Sequence, residues 1–396
     1  MKPSFFDFIG AADMERVHSA TIAWMISDMC KAITREDRIE LLKALFNVDS
    51  INIRSIRACN EFNHIDIAFI TKDSNGKEEF WAIENKIKAP LGHNQLAEYE
   101  ETIDRHLKDC NYTKRHLAVL SLIGILPQDK DRLGKWHLAT YETLSQKLEK
   151  ICAKHNEHQH YAIVKEYSEC LHNLTCALKG FRDHPKDYPN VFTDGNRPKS
   201  DKINIDTDSP LNIRDYISIN GLETLFQKYY FVDIVNEISS KIDYKWCHIS
   251  ETHGNADFSF HLGDMGYDSS YPFDLSFQNG TFKFAVTDKS YSPLPNKKDT
   301  SKWPPKFVKW ISVFDILKKE FPQYKRLNRP KTKIRVSLSH NINNKNCRWY
   351  ELSRDKFINI VIEQIDIARE MAQKAIEYHE EPDINQDNTQ DSPLLI

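Results

Sequence analysis

The large apolar residues Ile65, Ile67 and Phe69 alternate with Asp66, Ala68 and Ile70 along this chain. A period of two is typical of a β-strand, so we predict a strand here. The tetrapeptide Asp73-Ser74-Asn75-Gly76 then predicts a turn, because Asn-Gly favours the positive φ angles of a hairpin. A second strand is predicted to return over residues 79–87. The pattern therefore indicates a β-hairpin.

The returning strand divides its side chains between two faces. Trp81 and Ile83 fall on one face, and Glu84 and Lys86 fall on the other. Since a hairpin fixes its register at the turn, we expect Asp66 of the first strand to come alongside them. The hairpin thus predicts two carboxylates and one ammonium group in a small volume.

A helix is predicted to begin near His93, just after this hairpin. Gln95 and Tyr99 are four residues apart, so they share one face of it. Both side chains end in hydrogen-bonding groups that could contact a phosphate or the lysine. The alternative is an ordinary amphipathic helix in which Tyr99 is a core residue.

Another helix is predicted over residues 14–32. Glu15, His18 and Ser19 open its otherwise apolar face at helical spacing, which indicates that this end meets a polar pocket. The alternative is a solvated helix start capped by Asp13. The apolar run at 116–123 predicts a buried strand further along the chain.

The hairpin carries the chemistry of phosphodiester hydrolysis. Two neighbouring carboxylates repel each other unless a cation lies between them, and Mg²⁺ is commonly held by one or two carboxylates, waters and a substrate phosphate. Asp66 and Glu84 fit this role, with the backbone carbonyl of Asn85 as a further ligand. Lys86 can orient the attacking water or neutralise developing charge. Exposed strands also alternate Glu and Lys without any function, so the motif alone does not decide the matter.

The order of these elements and their residues resembles the PD-(D/E)XK nuclease superfamily, in the branch with a Gln-x-x-x-Tyr motif shared with RecB-type and lambda-exonuclease-type nucleases. Within it, the chain most resembles a bacterial family with an N-terminal Glu-x-x-His-Ser motif. Ile65 stands where proline often precedes the first acid, a departure that the branch tolerates. The resemblance covers residues 1–180, and the matching residues are Asp66, Glu84-Asn85-Lys86, Gln95, Tyr99, Glu15-Arg16-Val17-His18-Ser19 and Ala23-Trp24.

The resemblance implies an α/β, restriction-endonuclease-like core, in which helices flank a mixed central sheet. It implies Mg²⁺- or Mn²⁺-dependent cleavage of nucleic acid, usually DNA. The implied roles are metal binding by Asp66 and Glu84, with Glu15 acting directly or through water, water activation by Lys86, phosphate binding or lysine orientation by Gln95 and Tyr99, and support from His18 and Ser19.

The second half of the chain predicts an α+β domain. Helices are expected at 222–242 and 354–378, with strands at 257–262, 272–278, 281–287 and 333–339. The expected organisation is a nuclease domain at 1–180, a linker or long loop at 181–210, an accessory domain at 211–378 for substrate recognition or regulation, and an acidic disordered tail at 379–396.

Basic residues concentrate between Lys297 and Arg335, where thirteen Lys and Arg face three acids. We expect this stretch to bind DNA phosphates through Lys297, Lys298, Lys302, Lys306 and Lys309. Its aromatic residues either stack on bases or form the buried stripe of a helix, and we favour buried aromatics with a basic face left for DNA.

Composition restricts the class of protein. With 396 residues, 40% of them hydrophobic, the chain is long enough for two domains, and its net charge of −3 carries no global signature of nucleic-acid binding. Eight cysteines without a Cys-x-x-Cys pair argue against a zinc ribbon and fit a reducing cytoplasm. We expect no signal peptide and no membrane span. The oligomeric state stays open, and a homodimer is compatible with the sequence.

The function expected from the sequence is a Mg²⁺- or Mn²⁺-dependent deoxyribonuclease, with antiviral defence against foreign DNA as its setting. One alternative is an RNA-directed nuclease or toxin, because both polymers carry the same phosphate. The other is an inert protein that grips nucleic acid with a nuclease fold.

Overall fold

The computed structural model describes residues 1–92, 94–108, 110, 112–154, 160–192, 211–244, 246–262, 272–287, 305–328 and 335–380, without the side chains of residues 59, 60, 113 and 305–307. The chain forms two compact units. The first comprises Met1–Lys241 and Ile249–Asp257, and the second comprises Ile242–His248 and Phe258–Ile396.

The first unit contains a sheet with helices around it. Its helices are α1 (Phe5–Phe8), α2 (Glu15–Ile26), α3 (Arg35–Phe46), α4 (Gln95–His106), α5 (Pro127–Lys130), α6 (Tyr141–Lys154), α7 (Tyr161–Asp183), α8 (Ile213–Asn220) and α9 (Glu223–Ser239). Its strands are β1 (Ser55–Phe62), β2 (Ile65–Lys72), β3 (Glu78–Lys86), β4 (Tyr112–Ser121) and β5 (His137–Thr140).

The five strands follow the order β1-β2-β3-β4-β5. The first three run antiparallel to their neighbours, whereas β3, β4 and β5 are parallel, so the sheet is mixed. Helix α4 makes the crossover from β3 to β4, and its Leu96 and Ile103 pack in a buried cluster with Ala82 of β3 and Val119 of β4. This arrangement confirms the predicted restriction-endonuclease-like α/β core.

The predicted hairpin forms between β2 and β3, with a loop of residues 73–77. Within this loop only Gly76 of the Asn-Gly pair adopts a positive φ, 81°. Asp73 Oδ1 closes the loop by accepting hydrogen bonds from the backbone N–H groups of Asn75 and Lys77. A longer loop thus replaces the expected tight turn, and the register of the strands is preserved.

The helix predicted over residues 14–32 ends earlier than expected. Helix α2 stops at Ile26, because Ser27 adopts an extended backbone, with φ −71° and ψ 159°. Asp28 then accepts a hydrogen bond from the N–H of Ile56 on β1 and forms an ion pair with Arg38. These contacts with residues distant in the sequence end the helix. No strand is predicted from the sequence at the position of β1.

The remaining elements form an α+β arrangement, as predicted. The helices are α10 (Pro305–Glu320) and α11 (Arg354–Glu380), and the strands are β6 (Trp246–Thr252), β7 (Asn255–His261), β8 (Phe273–Gln278), β9 (Thr281–Thr287), β10 (Arg326–Asn328) and β11 (Arg335–Asn341). They form one sheet in the order β10-β11-β9-β8-β7-β6. Asn279 and Gly280 join β8 to β9 with φ angles of 48° and 75°, so the adjacent strands predicted at 272–278 and 281–287 form a hairpin with the Asn-Gly turn typical of one.

The compact units do not divide at the predicted boundary near residue 211. Helices α8 and α9 belong to the first unit, where Phe181 of α7 packs on Phe226 of α9 with ring centroids 5.5 Å apart. Tyr216 of α8 donates a 2.8 Å hydrogen bond to the buried Asp7. Of the predicted linker, residues 193–210 lie outside the described residues, as do residues 381–396 of the predicted tail. The proposed division into domains therefore stays a prediction.

Two further findings concern the whole described chain. The seven cysteines with described side chains are all free thiols. Across the described ranges, no helix is both long and apolar enough to cross a lipid bilayer.

Candidate active site

The two acids and the lysine of the predicted hairpin lie together. Asp66 is the second residue of β2 and Glu84 is near the end of β3, so the antiparallel pairing brings both to the same edge of the sheet. Asp66 Oδ2 accepts a 2.8 Å hydrogen bond from the N–H of Asn85. Lys86 Nζ lies 2.7 Å from Glu84 Oε1. The three functional groups thus form one polar cluster at the carboxyl end of β3.

Burial dominates the electrostatics of this cluster. Glu84 is only 1% exposed, and its burial raises the pKa of its carboxyl to about 7, with Asp66 adding to the rise and Lys86 opposing it. Burial also raises the pKa of Asp66; the hydrogen bond from Asn85 opposes the shift and the negative charge of Glu15 adds to it. A cation bound between the two carboxylates would relieve this cost.

Gln95 and Tyr99 lie beside Glu84. Gln95 Nε2 donates to Glu84 Oε1 at 2.6 Å and to the Tyr99 hydroxyl at 2.8 Å. Tyr99 in turn donates to the backbone carbonyl of His64 at 2.9 Å. Burial raises the pKa of Tyr99 to about 12, so it stays a neutral donor. Gln95 therefore contacts Glu84, and neither Gln95 nor Tyr99 hydrogen-bonds to Lys86. Binding of the substrate phosphate by this pair stays a prediction.

Helix α2 is fastened to β3 by the side chain of Asn85, which is fully buried. Asn85 Nδ2 donates to Ser19 Oγ at 2.9 Å and to the backbone carbonyl of Glu15 at 3.3 Å. Tyr141, the first residue of α6, donates to Asn85 Oδ1 at 2.7 Å. Glu15 also accepts a 3.0 Å bond from the N–H of Ile87 through Oε2. The residue between Glu84 and Lys86 is thus held by two helices.

His18 lies next to this group but contacts other elements. Its Nδ1 is 2.9 Å from the Tyr167 hydroxyl and its Nε2 is 3.0 Å from the carbonyl of Ala12. Complete burial lowers the pKa of His18 to about 4, so the ring is neutral near pH 7. The histidine supports the packing of α2 on α7. Both of its ring nitrogens contact Tyr167 or Ala12, so neither is placed to transfer a proton at Asp66 or Glu84.

The donor set fits a hard divalent cation. Glu84 Oε2 is buried and has no hydrogen-bond partner among the described residues, and an unpartnered buried carboxylate oxygen is costly. Asp66 provides a second carboxylate at the same edge of the sheet. Within the described residues, no three His, Cys, Asp or Glu side chains converge on one point. Two carboxylates suffice for Mg²⁺, which retains waters and takes oxygen ligands from substrate phosphate.

Tyr141 contacts the site, although no sequence pattern predicts it there. Residues 142–152 predict a helix, and nothing in that pattern indicates that Tyr141, the residue before it, reaches Asn85. The contact depends on how α6 packs against α3 and α7. Such a long-range hydrogen bond has no local sequence signal.

The predicted basic residues are described only in part. Lys297, Lys298 and Lys302 lie outside the described residues, and Lys306 is the second residue of α10 and has no described side chain. Lys309 is half-buried on α10. The aromatic residues near them line the core of the second unit, where Trp310, Phe314 and Tyr324 are completely buried. These three rings therefore cannot stack on bases, as the favoured interpretation expected.

Comparison with known families agrees with this geometry. Residues 3–169 match the model of a family in the PD-(D/E)XK nuclease superfamily. The matched region contains all five strands of the first sheet together with Asp66, Glu84 and Lys86, so the match supports assigning this part of the chain to that superfamily and supports a nuclease. No curated protein and no solved structure matches the chain significantly.

Proposed function

We propose that the protein is a metal-dependent deoxyribonuclease whose active site is formed by Asp66, Glu84 and Lys86. The observation that carries the proposal is the buried carboxylate of Glu84. One of its oxygens is held by Lys86 and Gln95, and the other has no partner among the described residues. The second carboxylate, Asp66, lies beside it and its charge raises the pKa of Glu84 further, so a cation bound by the two acids would stabilise both.

The carboxylates of Asp66 and Glu84 would hold Mg²⁺ or Mn²⁺. When bound, such an ion polarises the scissile phosphate and lowers the pKa of a coordinated water. Gln95 fixes Glu84 Oε1 in place, so that its second oxygen is presented in one orientation. The contacts of Gln95 and Tyr99 with Glu84 support membership of the Gln-x-x-x-Tyr branch.

Lys86 would act on the water and on the phosphate charge. An ammonium group donates three hydrogen bonds, and one of these goes to Glu84. The other two can orient the attacking water and neutralise the charge that develops on the phosphate oxygens. Because the Lys86 side chain is only 11% exposed, its charge acts at low dielectric, where it is most effective.

Glu15 supports this arrangement from α2. Its Oε2 accepts from the N–H of Ile87, directly after Lys86, and its negative charge raises the pKa of Asp66. We propose that it contributes to metal binding through a water molecule. His18 and Ser19 would then have supporting roles, with Ser19 holding Asn85.

The choice of polymer is tested by comparing substrates. The protein would be incubated with plasmid, linear duplex DNA, single-stranded DNA and RNA, with Mg²⁺, Mn²⁺ or EDTA. We expect metal-dependent cleavage of DNA and little cleavage of RNA. Preferred cleavage of RNA would replace the proposal with an RNA-directed nuclease, and binding without any cleavage would favour an inert nucleic-acid-binding protein.

The second unit and the defence role belong to the same proposal. We propose that the basic stretch from Lys297 to Lys309 contacts DNA and that the second unit selects the substrate. In bacteria producing the protein, resistance to phage infection should depend on Glu84. Equal protection by the wild type and by Glu84→Gln would contradict a role of the nuclease in defence.

A further inference from the structure

A cavity of about 460 Å³ opens beside the carboxyl ends of β4 and β5. Helices α6, α7 and α9 complete its walls, and all of its lining residues belong to the first unit. Its volume lies within the range of small-ligand sites. Many of its side chains are hydrogen-bonding groups, among them Ser121, Thr140, Ser145, Gln146 and Thr175.

Two cationic side chains line this cavity from one face of α7. Lys179 and Arg182 are three residues apart, so they are neighbours on the helix. Among the described residues, no carboxylate lies within ion-pair distance of Lys179. Arg182 bonds Asp183 through Nε at 3.1 Å and also interacts with the hydroxyl of Tyr229, another lining residue. A guanidinium has five N–H donors, so those that remain, together with the ammonium group of Lys179, can receive an anion.

The two acidic residues of the cavity, Glu142 and Glu149, contact other side chains of the cavity wall. Glu149 lies 2.7 Å from His172 Nδ1 and accepts a bond from Ser145 at 3.3 Å. Glu142 accepts from Gln146 at 3.5 Å. Neither acid forms an ion pair with Lys179 or Arg182, so both cations stay available to a ligand in the cavity.

The cavity adjoins the catalytic strand. Ser121 lines it and is the register partner of Lys86 in the parallel pair of β3 and β4. Tyr141 also lines it, while its hydroxyl donates to Asn85 between Glu84 and Lys86. A ligand in the cavity would therefore lie one strand away from the carboxylates.

We propose that this cavity binds one nucleotide unit, with Lys179 and Arg182 holding its phosphate. The planar guanidinium of Arg182 and the ammonium group of Lys179 can both donate hydrogen bonds to phosphate oxygens. The hydroxyl and amide groups of the cavity can bond to a sugar and to the edge of a base. The nucleotide could come from the substrate strand next to the scissile bond or from a free mononucleotide. The first source rests on the proposed nuclease function, whereas the second does not.

The cavity contains its own chemical reporter. Cys176 is an exposed free thiol in the cavity wall, and Cys110 is an exposed thiol outside it. Burial raises the pKa of the Cys176 thiol, so alkylation with N-ethylmaleimide is best followed at mildly alkaline pH. Mass spectrometry of the full-length Glu84→Gln protein would give both alkylation rates, with adenosine monophosphate, short single-stranded DNA or unphosphorylated adenosine present.

A phosphate-bearing probe should slow alkylation of Cys176 while leaving Cys110 unchanged, and adenosine should have no effect. In the Lys179→Ala/Arg182→Ala protein, we expect the protecting probe to bind at least about a hundredfold more weakly, the effect of two lost hydrogen bonds to a charged group. Lys165→Ala, at an exposed position of α7 outside the cavity, is the matched control. Failure of every probe to protect, or equal protection in the double variant, would overturn the proposal.

The two sources give different patterns. Protection by the single-stranded DNA alone assigns the cavity to the substrate strand, and the double variant should then raise KM for cleavage with little change in kcat. Protection by adenosine monophosphate assigns a free nucleotide. Because the Glu84→Gln protein needs no activity for this measurement, its outcome is independent of the proposed nuclease function.

Discussion

The carboxyl group of Glu84 links the stability of the protein to pH. Its pKa is raised from 4.5 to about 7 in the folded chain, chiefly by burial. A raised carboxyl pKa means that the folded state binds the proton more tightly than the unfolded state, so its stability contribution is complete below pH 4.5 and is lost as pH rises through 7. In EDTA, we predict that the free energy of unfolding of the wild type falls across this window relative to Glu84→Gln.

Urea unfolding of both proteins between pH 4.5 and 8 would measure this difference. One carboxyl group changes the slope by at most about 1.4 kcal/mol per pH unit. Mn²⁺ added at pH 8 should stabilise the wild type and leave Glu84→Gln unaffected. Parallel curves for the two proteins would show that the pKa of Glu84 is not raised in the folded chain.

The contact of Gln95 predicts a particular kinetic effect. Gln95 touches Glu84 Oε1 at 2.6 Å, so Gln95→Ala should disturb the metal ligand rather than substrate binding. We expect kcat to fall about tenfold, the cost of one hydrogen bond to a charged group, with KM little changed. Steady-state cleavage kinetics would measure both constants. A raised KM with unchanged kcat would instead place Gln95 on the substrate phosphate.

At the scale of elements, the position of β3 depends on helices α2 and α6. Tyr141→Phe removes the donor to Asn85 Oδ1 and leaves a buried acceptor without its partner. The loss should lower the free energy of unfolding by about 1–3 kcal/mol and weaken Mn²⁺ binding, because Glu84 and Lys86 flank Asn85. Chemical denaturation and calorimetric titration of Mn²⁺ would measure the two effects.

Tyr161→Phe provides the control for this prediction. Tyr161 donates to the backbone carbonyl of Cys152 and has no contact with β3. Its replacement should leave Mn²⁺ affinity unchanged. If both variants bind Mn²⁺ like the wild type, α6 does not position the metal ligands.

Local patterns predict those elements whose signals are local. The Asn279-Gly280 pair supplies both positive φ angles of its hairpin, and β9 has the predicted bounds. Strand β1 is not predicted from the sequence. The early end of α2 follows from contacts of Asp28 with Ile56 and Arg38. These long-range contacts bear no mark in the neighbouring sequence.

The same distinction applies to the candidate site. The period of two and the hairpin register place Asp66, Glu84 and Lys86 together, because strand geometry leaves little freedom. The contacts of Gln95 with Glu84 and of Tyr141 with Asn85 depend on the packing of whole helices. Spacing identifies the acids and the lysine, and only the fold identifies what orients them.

At the scale of the whole molecule, the first unit needs its last two helices. Tyr216 of α8 donates to Asp7, and Asn236 of α9 donates to the backbone carbonyl of the buried Ile125, so a chain ending at Gly180 would lose these partners. We predict that this fragment aggregates, whereas the full chain, which keeps both helices, is monodisperse and melts cooperatively. Size-exclusion chromatography and thermal unfolding would compare them, and a stable, soluble fragment 1–180 would support the boundary expected from the sequence.

The central claim is that Glu84 ligates a metal that drives phosphodiester hydrolysis. Its most direct test is single-turnover cleavage of DNA with Mg²⁺ by the wild type, Glu84→Gln and Lys86→Met. The exposed pair Glu78 and Lys72 lies at the other end of the same hairpin and supplies the matched controls Glu78→Gln and Lys72→Met. We expect cleavage by the wild type and both controls, and loss of at least about a hundredfold in the two site variants. Equal cleavage by Glu84→Gln and the wild type would contradict the account.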